Sequence, residues 1–263
     1  MGDHPGGHQL GERLFIPGNT WIHQLPAQTK IASLLLTMLV IVATPGDRYW
    51  AFLGYALLMI GVVVAAAVPL RTLLARMTVE IPFVIFALLM PFIGSGPYLQ
   101  LGPLTVSEPG LLAAWTLLAK ATLGVVGSIV LAATTSTTEM VSGLRKLRLP
   151  DLLVQIFASM IRYVHVVFNE AARMSRARKA RGFTARGPAA WTTLAKTLGT
   201  LFIRSYERGE RVHLAMAARG YSGQMPELHS LPPATARQFI YASVLPLAAA
   251  AVLLVAWRWG VSQ

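Results

Sequence analysis

The chain has 263 residues, of which 54% are hydrophobic and only 13% are charged, and its mean hydropathy is +0.55. Soluble domains carry about 25% charged residues, so this composition argues against a soluble protein and indicates that lipid surrounds part of the chain. The net charge of +12 would suggest a nucleic-acid partner in a soluble protein. Cys is absent, which excludes disulfides and thiolate metal sites.

Residues 1–29 are polar and rich in Gly and Pro, and they contain no long apolar run. A cleaved secretory signal needs such a run, so we do not expect one here. We interpret this stretch as a polar N-terminal segment on the cytoplasmic side. His4 and His8 are four residues apart, but their Gly-rich surroundings do not favour a helix, and we predict no metal site there.

Five apolar segments are candidates for membrane-spanning helices, which need about 20 residues to cross the bilayer core. They cover residues 31–46, 49–70, 81–94, 111–138 and 238–257. Four spans are therefore expected within residues 30–138 and the last within 234–263. The Gly-rich and Pro-rich stretch 94–110 predicts a surface loop with no regular structure.

The segment 152–168 is apolar enough to suggest a sixth span, but it contains Arg162 and His165. Residues 139–233 hold fifteen Lys/Arg against six Asp/Glu, and cytoplasmic loops carry the Lys/Arg excess. A span at 152–168 would place part of this charge outside the cell. We therefore predict an all-α fold: a polytopic membrane protein with about five transmembrane helices, a cytoplasmic N-terminus, and a cytoplasmic pair of long amphipathic helices within 139–233.

Two periodic patterns define these amphipathic helices. Apolar residues recur at steps of three and four, giving one stripe of Leu153, Ile156, Met160, Tyr163, Val167, Ala171 and Met174 and a second of Trp191, Leu194, Leu198 and Leu201. The first helix is expected to end at Gly182, because Gly favours the left-handed position after a helix. The second is expected to begin near Pro188 and to end at Gly220.

Both helices end in the same residues, Ala180-Arg181-Gly182 and Ala218-Arg219-Gly220, and an aromatic residue follows each. A third copy, Ala185-Arg186-Gly187, lies in the expected connecting turn. Two interpretations stay open from the spacing. The endings are either ordinary helix caps on a solvated basic face, or two Arg-tipped docking points for an acidic partner.

A few charged residues fall inside or beside the predicted spans. Lys120 lies deep in the fourth one, where charges are functional candidates, but we favour an inter-helix hydrogen bond or a snorkelling side chain. Glu80, Glu108 and Glu139 lie at span ends, where we expect solvated boundaries. The sequence contains no GxxxxGK[ST], HExxH or GxSxG motif, and we predict no catalytic, cofactor or metal site.

Longer stretches of the sequence resemble a known protein family. The paired Ala-Arg-Gly endings, IPGNTWIHQLPAQTKI (16–31) and RSYERGERVHLAMAARGYSG (204–223) resemble the T component of energy-coupling factor transporters, and in particular its cobalt-type subunit, CbiQ. Shorter similar stretches lie at 80–83, 118–135 and 147–156. The likeness extends from about residue 16 to 257.

This resemblance implies a non-catalytic subunit of an ATP-driven importer in the cell membrane, with cobalt ion as substrate and nickel or a vitamin such as biotin as alternatives. It implies two cytoplasmic ATP-binding cassette ATPase subunits and a substrate-binding membrane subunit as partners. Arg181 and Arg219 would contact the ATPases, and the small residues beside them, Ala180, Gly182, Ala218 and Gly220, would permit close approach. The two apolar stripes would pack on each other and under the substrate subunit, which would itself bind the metal.

Two other classes of function fit the sequence less well. A self-sufficient secondary transporter should have internal repeats and polar midplane residues in both halves, and the sequence has neither. A binder of anionic lipid or nucleic acid should have a basic cluster without ordered apolar stripes, whereas this basic segment has two stripes. We therefore expect the lipid bilayer, and no nucleic acid, among the partners.

Overall fold

The computed structural model describes residues 15–94, 96–101, 104–183, 187–221 and 235–261. The predictions for the first fourteen residues and for Ala185 and Arg186 lie outside these ranges. The chain divides into two compact units. We call Arg13–Leu147 with Pro232–Gln263 the membrane unit, and Met1–Glu12 with Arg148–Leu231 the paired-helix unit.

The described residues form helices almost throughout. In chain order the elements are α1 (Trp21–Gln24), α2 (Ala27–Ala43), α3 (Tyr49–Ala65), α4 (Leu70–Arg76), a 3-10 turn (Met77–Glu80), α5 (Ile81–Ile93), β1 (Tyr98–Leu101), β2 (Leu104–Ser107), α6 (Glu108–Thr134), α7 (Thr137–Lys146), α8 (Asp151–Ala180), α9 (Pro188–Ala217) and α10 (Ala236–Val261). The paired-helix unit contains α8 and α9, and the other elements belong to the membrane unit.

The chain is an all-α polytopic membrane protein, as predicted. Within the described ranges, four stretches are long and apolar enough to cross a membrane: Leu70–Ile93, Glu108–Thr134, Asp151–Ala180 and Ala236–Arg258. The apolar helices α2 and α3 have 17 residues each, at the lower limit for a span. The stretch Asp151–Ala180 meets these criteria although we predict it to be cytoplasmic, so that placement stays a prediction.

Two segments differ from what the sequence predicts. Residues 94–110 were expected to lack regular structure, but β1 and β2 form an antiparallel hairpin in which Tyr98 pairs with Ser107 and Leu101 with Leu104. The Tyr, Thr and Val of these strands favour extended backbone, and the neighbouring Gly and Pro concealed that preference. The third candidate span begins at Leu70, earlier than expected, because α4, the 3-10 turn and α5 follow one another without a break.

The prediction of a solvated carboxylate is wrong for Glu80. Glu80 is buried, with 5% of its surface exposed, and Thr122 on the neighbouring α6 donates a hydrogen bond to its carboxylate. Glu139 forms a capping box at the start of α7, where it accepts from the backbone of Ser136 at 3.2 Å while Ser136 Oγ accepts from the Glu139 backbone at 3.3 Å. Glu108 is exposed, as expected.

The apolar core of the membrane unit lies among α2, α3, α6 and α10. Its centre is formed by Ile41, Phe52, Tyr55, Leu123 and Ala249, all of which are buried. The hydroxyl groups of Tyr55 and of Thr44, which follows α2, form a 2.8 Å hydrogen bond. This bond satisfies both groups away from water, which a buried hydroxyl requires.

Two lysines join α2 to α6. Lys30, near the start of α2, donates to the backbone oxygen of Thr134, the last residue of α6, at 2.8 Å, and to that of His23 at 3.1 Å. Lys120, within α6, donates to the backbone oxygen of Val42 in the last turn of α2 at 2.7 Å. The last carbonyls of a helix lack intrahelical partners and carry partial negative charge. Each lysine therefore caps the carboxyl end of the other helix, and the preferred hypothesis of an inter-helix hydrogen bond for Lys120 is confirmed.

We expect Lys30→Met to lower the free energy of unfolding by about 2–4 kcal/mol, because it leaves two carbonyl oxygens without their charged donor. Unfolding would be measured on the full chain in detergent micelles. Lys196→Met, which alters an exposed lysine of α9, should change the value by less than about 0.5 kcal/mol. Equal effects of the two substitutions would contradict a capping role for Lys30.

Candidate functional site

The helices α8 and α9 lie side by side and run in opposite directions. Three side-chain pairs join them: Arg178 donates to Thr197 Oγ1 at 2.7 Å, Arg204 to Glu170 at 2.5 Å, and the Tyr221 hydroxyl to Gln155. The nearer a residue lies to the start of α8, the nearer its partner lies to the end of α9. The end of α9 therefore lies beside the beginning of α8.

Glu170 is the ionic centre of this pair. Its carboxylate accepts from Arg173, one turn away on α8, and from Arg204 on α9. Hydrogen bonds from Arg173 and then from Arg204 hold the pKa of the Glu170 carboxyl below its ordinary value, because both stabilise the charged form. One carboxylate thus links the two helices and neutralises part of their basic surface.

The apolar stripes do not pack on each other along most of their length. In α9, Trp191 is 74% exposed and Leu198 is 63% exposed, and in α8 the first three stripe residues, Leu153, Ile156 and Met160, are also exposed. The resemblance had implied packed stripes. Instead, α9 turns Thr193 and Thr197 toward α8, and these residues lie on the helix face opposite Trp191.

Both helices end in the same backbone motif. After α8, the amides of Gly182 and Phe183 donate to the carbonyls of Lys179 and Arg178, at 3.0 and 3.2 Å. After α9, the amides of Gly220 and Tyr221 donate in the same way to the carbonyls of Ala217 and Met216, at 3.0 and 3.1 Å. These paired bonds define the Schellman motif, in which the residue after the cap takes a left-handed conformation.

The two glycines supply that conformation, with φ of +74° at Gly182 and +82° at Gly220. A Cβ at either position would meet no heavy atom within 4 Å. Glycine is therefore required there by the backbone angle and not by crowding within the chain. The open space beside each glycine is available to another molecule.

All six residues predicted as the coupling site, Ala180, Arg181, Gly182, Ala218, Arg219 and Gly220, are exposed. Neither arginine forms an ion pair with a carboxylate of the described residues. Because Tyr221 contacts Gln155, Arg219 lies near the beginning of α8 while Arg181 lies at its end. At 1.5 Å per helical residue, the two arginines are separated by about 40 Å. The structure places the two arginines at opposite ends of the helix pair.

Sequence reasoning did not find the residues that hold the two helices together. Glu170 and Arg173 have the spacing of a pair within one helix, but no local pattern links Glu170 to Arg204. The Tyr221 hydroxyl bond to Gln155 likewise depends on the pairing of the helices. Tyr221 also lies against the ring of His213, with centroids 6.4 Å apart.

Residues 18–229 match the family model described as CbiQ, cobalt transport protein. The chain belongs to this family. Both Arg-tipped endings, at 180–182 and 218–220, lie within the matched CbiQ region. The resemblance deduced from the sequence is therefore confirmed at the level of the family.

Relatives of this CbiQ-family chain include two energy-coupling factor transporter transmembrane proteins named EcfT. The EcfT of Bacillus subtilis (strain 168) is 29% identical over 224 residues, and that of Listeria innocua serovar 6a is 26% identical over 227 residues. Each alignment covers 80% of this chain and 83% of the relative. The cobalt transport protein CbiQ of Rhodobacter capsulatus is 30% identical over 139 residues, which cover 52% of this chain and 57% of that protein.

We expect Gly182→Ala and Gly220→Ala each to destabilise the local helix end by about 1–2 kcal/mol, because an L side chain is disfavoured at these positive φ angles. Hydrogen exchange at the amides of Phe183 and Tyr221, which depend on the motif, would report the loss as faster exchange. Gly199→Ala is the matched control, since Gly199 lies inside α9 with nothing within 4 Å of its Cβ position. That change should stabilise the helix by about 0.5–1 kcal/mol. Unchanged exchange in both end variants would refute the need for glycine.

Proposed function

We propose that the chain is the transmembrane coupling subunit of an ATP-driven energy-coupling factor importer whose substrate is cobalt ion. It has no catalytic role of its own in this proposal. It connects two cytoplasmic ATP-binding cassette ATPase subunits to a substrate-binding membrane subunit. The N-terminus and the paired-helix unit lie on the cytoplasmic side of the cell membrane, where the ATPases are.

The observation that carries the proposal is the pair of matching helix ends. Two exposed arginines, Arg181 and Arg219, are presented by the same backbone motif at opposite ends of an antiparallel helix pair. Two equal attachment points fit two copies of one partner better than they fit a single ligand. The separation of about 40 Å is of the order of the diameter of a small protein domain, so each arginine can meet a different ATPase subunit.

The chemistry of the contact follows from the guanidinium group. A guanidinium binds carboxylates or backbone carbonyls through charge-assisted hydrogen bonds, which are about twice as strong as neutral ones. The neighbouring Ala180, Gly182, Ala218 and Gly220 have small or no side chains, so a groove of the ATPase can approach the backbone closely. ATP-driven movement of the ATPases would then pull on the two helix ends.

Charge reversal at both ends tests the docking sites. We expect Arg181→Glu combined with Arg219→Glu to abolish co-purification of the ATPase subunits, while each single change leaves about one of two ATPase subunits bound, because the sites are far apart and independent. The measurement is subunit stoichiometry after affinity purification of the tagged chain, expressed with its chromosomal neighbours.

The matched control is Arg162→Glu combined with Arg208→Glu, which reverses two exposed arginines away from the helix ends. This control should retain both ATPases, and all variants should insert into the membrane in equal amounts. Normal ATPase binding by the double end variant would remove arginine pairing from the mechanism. Failure of the unmodified chain to retain any ATPase or second membrane protein would reject the coupling function itself.

Cobalt is supported as the substrate by the name of the matched family and by the Rhodobacter capsulatus relative. The EcfT relatives carry names that specify no substrate, so nickel and vitamins such as biotin are the alternatives. We expect cells expressing the complete transporter to accumulate labelled cobalt in an ATP-dependent manner and not labelled biotin. Preferential uptake of nickel or biotin would change the substrate and leave the coupling function intact.

A further inference from the structure

A half-open apolar cavity of about 280 Å³ lies between helices of the membrane unit. Its walls come from α1, α2, α3, α6 and α10, and they are formed mostly by aliphatic side chains such as Leu34, Leu58, Val62, Val130 and Leu245. The coupling function makes no use of this cavity. None of its lining residues belongs to α8 or α9.

Two glycines in the cavity wall differ in the space beside them. Gly61 and Gly127 both line the cavity. A Cβ on Gly127 would lie 2.6 Å from Leu34, whereas a Cβ on Gly61 would meet no heavy atom within 4 Å. The space beside Gly61 is therefore open and can receive atoms of another molecule.

The cavity is polar at one end only. Lys30 and Thr134 line that end, and the rings of Trp21 and Tyr241 meet there edge to face with centroids 6.4 Å apart. Both aromatic residues are more than half exposed. Trp and Tyr side chains mark the headgroup level of a bilayer, so this end of the cavity lies at the membrane surface.

The depth of the cavity fits one leaflet. Its lining residues on α3 extend from Leu58 to Ala65, and those on α10 extend from Tyr241 to Ala248. Seven helical residues correspond to about 10 Å, against about 15 Å for the hydrocarbon half of a bilayer. The cavity therefore extends from the headgroup level across most of one leaflet.

Water does not suit this space, because an ordered water needs two to four polar partners and the deeper walls offer aliphatic groups. An empty space would leave the lining atoms without contacts on one side. The molecule that surrounds membrane-spanning helices, and that combines a polar end with an apolar chain, is a phospholipid.

We propose that this cavity is a binding site for one acyl chain of a membrane phospholipid, with the headgroup beside Trp21 and Tyr241. The lipid chain completes the packing among α2, α3, α6 and α10. It is a structural ligand of the membrane unit and takes no part in the recognition of cobalt or of the ATPases.

The test is native mass spectrometry of the full chain released from mild detergent. We expect one phospholipid mass to be retained on the unmodified chain. Gly61→Leu places a side chain in the cavity, and we expect the retained fraction to fall at least about tenfold, because excluding roughly two methylene groups corresponds to that factor. Val64→Leu is the matched control, since Val64 lies on the same helix but is 72% exposed.

A second filling variant, Ala248→Leu on α10, guards against misfolding caused by the first. Melting temperature gives an independent readout: adding dioleoyl phosphatidylglycerol to the delipidated chain should raise it for the unmodified chain and for Val64→Leu, and not for the filled variants. Equal lipid retention in all variants, retention of detergent alone, or no lipid-dependent change in melting temperature would overturn the proposal. ATPase co-purification reports separately on the coupling function.

Discussion

Lys30 and Lys120 each place an ammonium group on the free carbonyls at the end of a neighbouring helix. The last carbonyls of a helix have no intrahelical partner, and here the chain supplies the donors for them itself. Because one lysine lies on α2 and the other on α6, the two helices cap each other in opposite directions. The helix α10 packs against α2, α3 packs against α6, and the apolar cavity lies beside Lys30.

The helices of the paired-helix unit are held together in a different way from those of the membrane unit. The helices α8 and α9 are joined by polar contacts at Glu170, Arg178 and Tyr221, while much of the apolar surface of α9 faces outward. Exposed apolar stripes of this kind are typical of interaction surfaces. A unit that holds itself together through charge and leaves its apolar residues uncovered is suited to work inside a larger assembly, which agrees with the proposed coupling function.

Much of the fold follows from sequence because long apolar runs and glycine caps are local signals. On that basis the sequence predicts the apolar helices α2, α3, α5, α6 and α10 and the ends of α8 and α9, and Gly182 and Gly220 have the left-handed angles that their positions require. The burial of Glu80 against Thr122 and the outward-facing stripe of α9 were not predicted, because each depends on which segment lies beside which, and neither composition nor periodicity carries that information. The capping box of Glu139 was not predicted either, although it is a local signal in which Ser136 is followed three residues later by Glu.

The antiparallel pairing of α8 and α9 has a mechanical consequence. If a separate partner protein holds each Arg-tipped end, the helix pair behaves as one rigid body that is attached at both ends. Displacements of the two partners in opposite directions then produce a torque, and the helix pair rotates about its middle. Glu170 lies in α8 between the two Arg-tipped ends and binds arginines of both helices. This contact keeps α8 and α9 rotating together while their ends move.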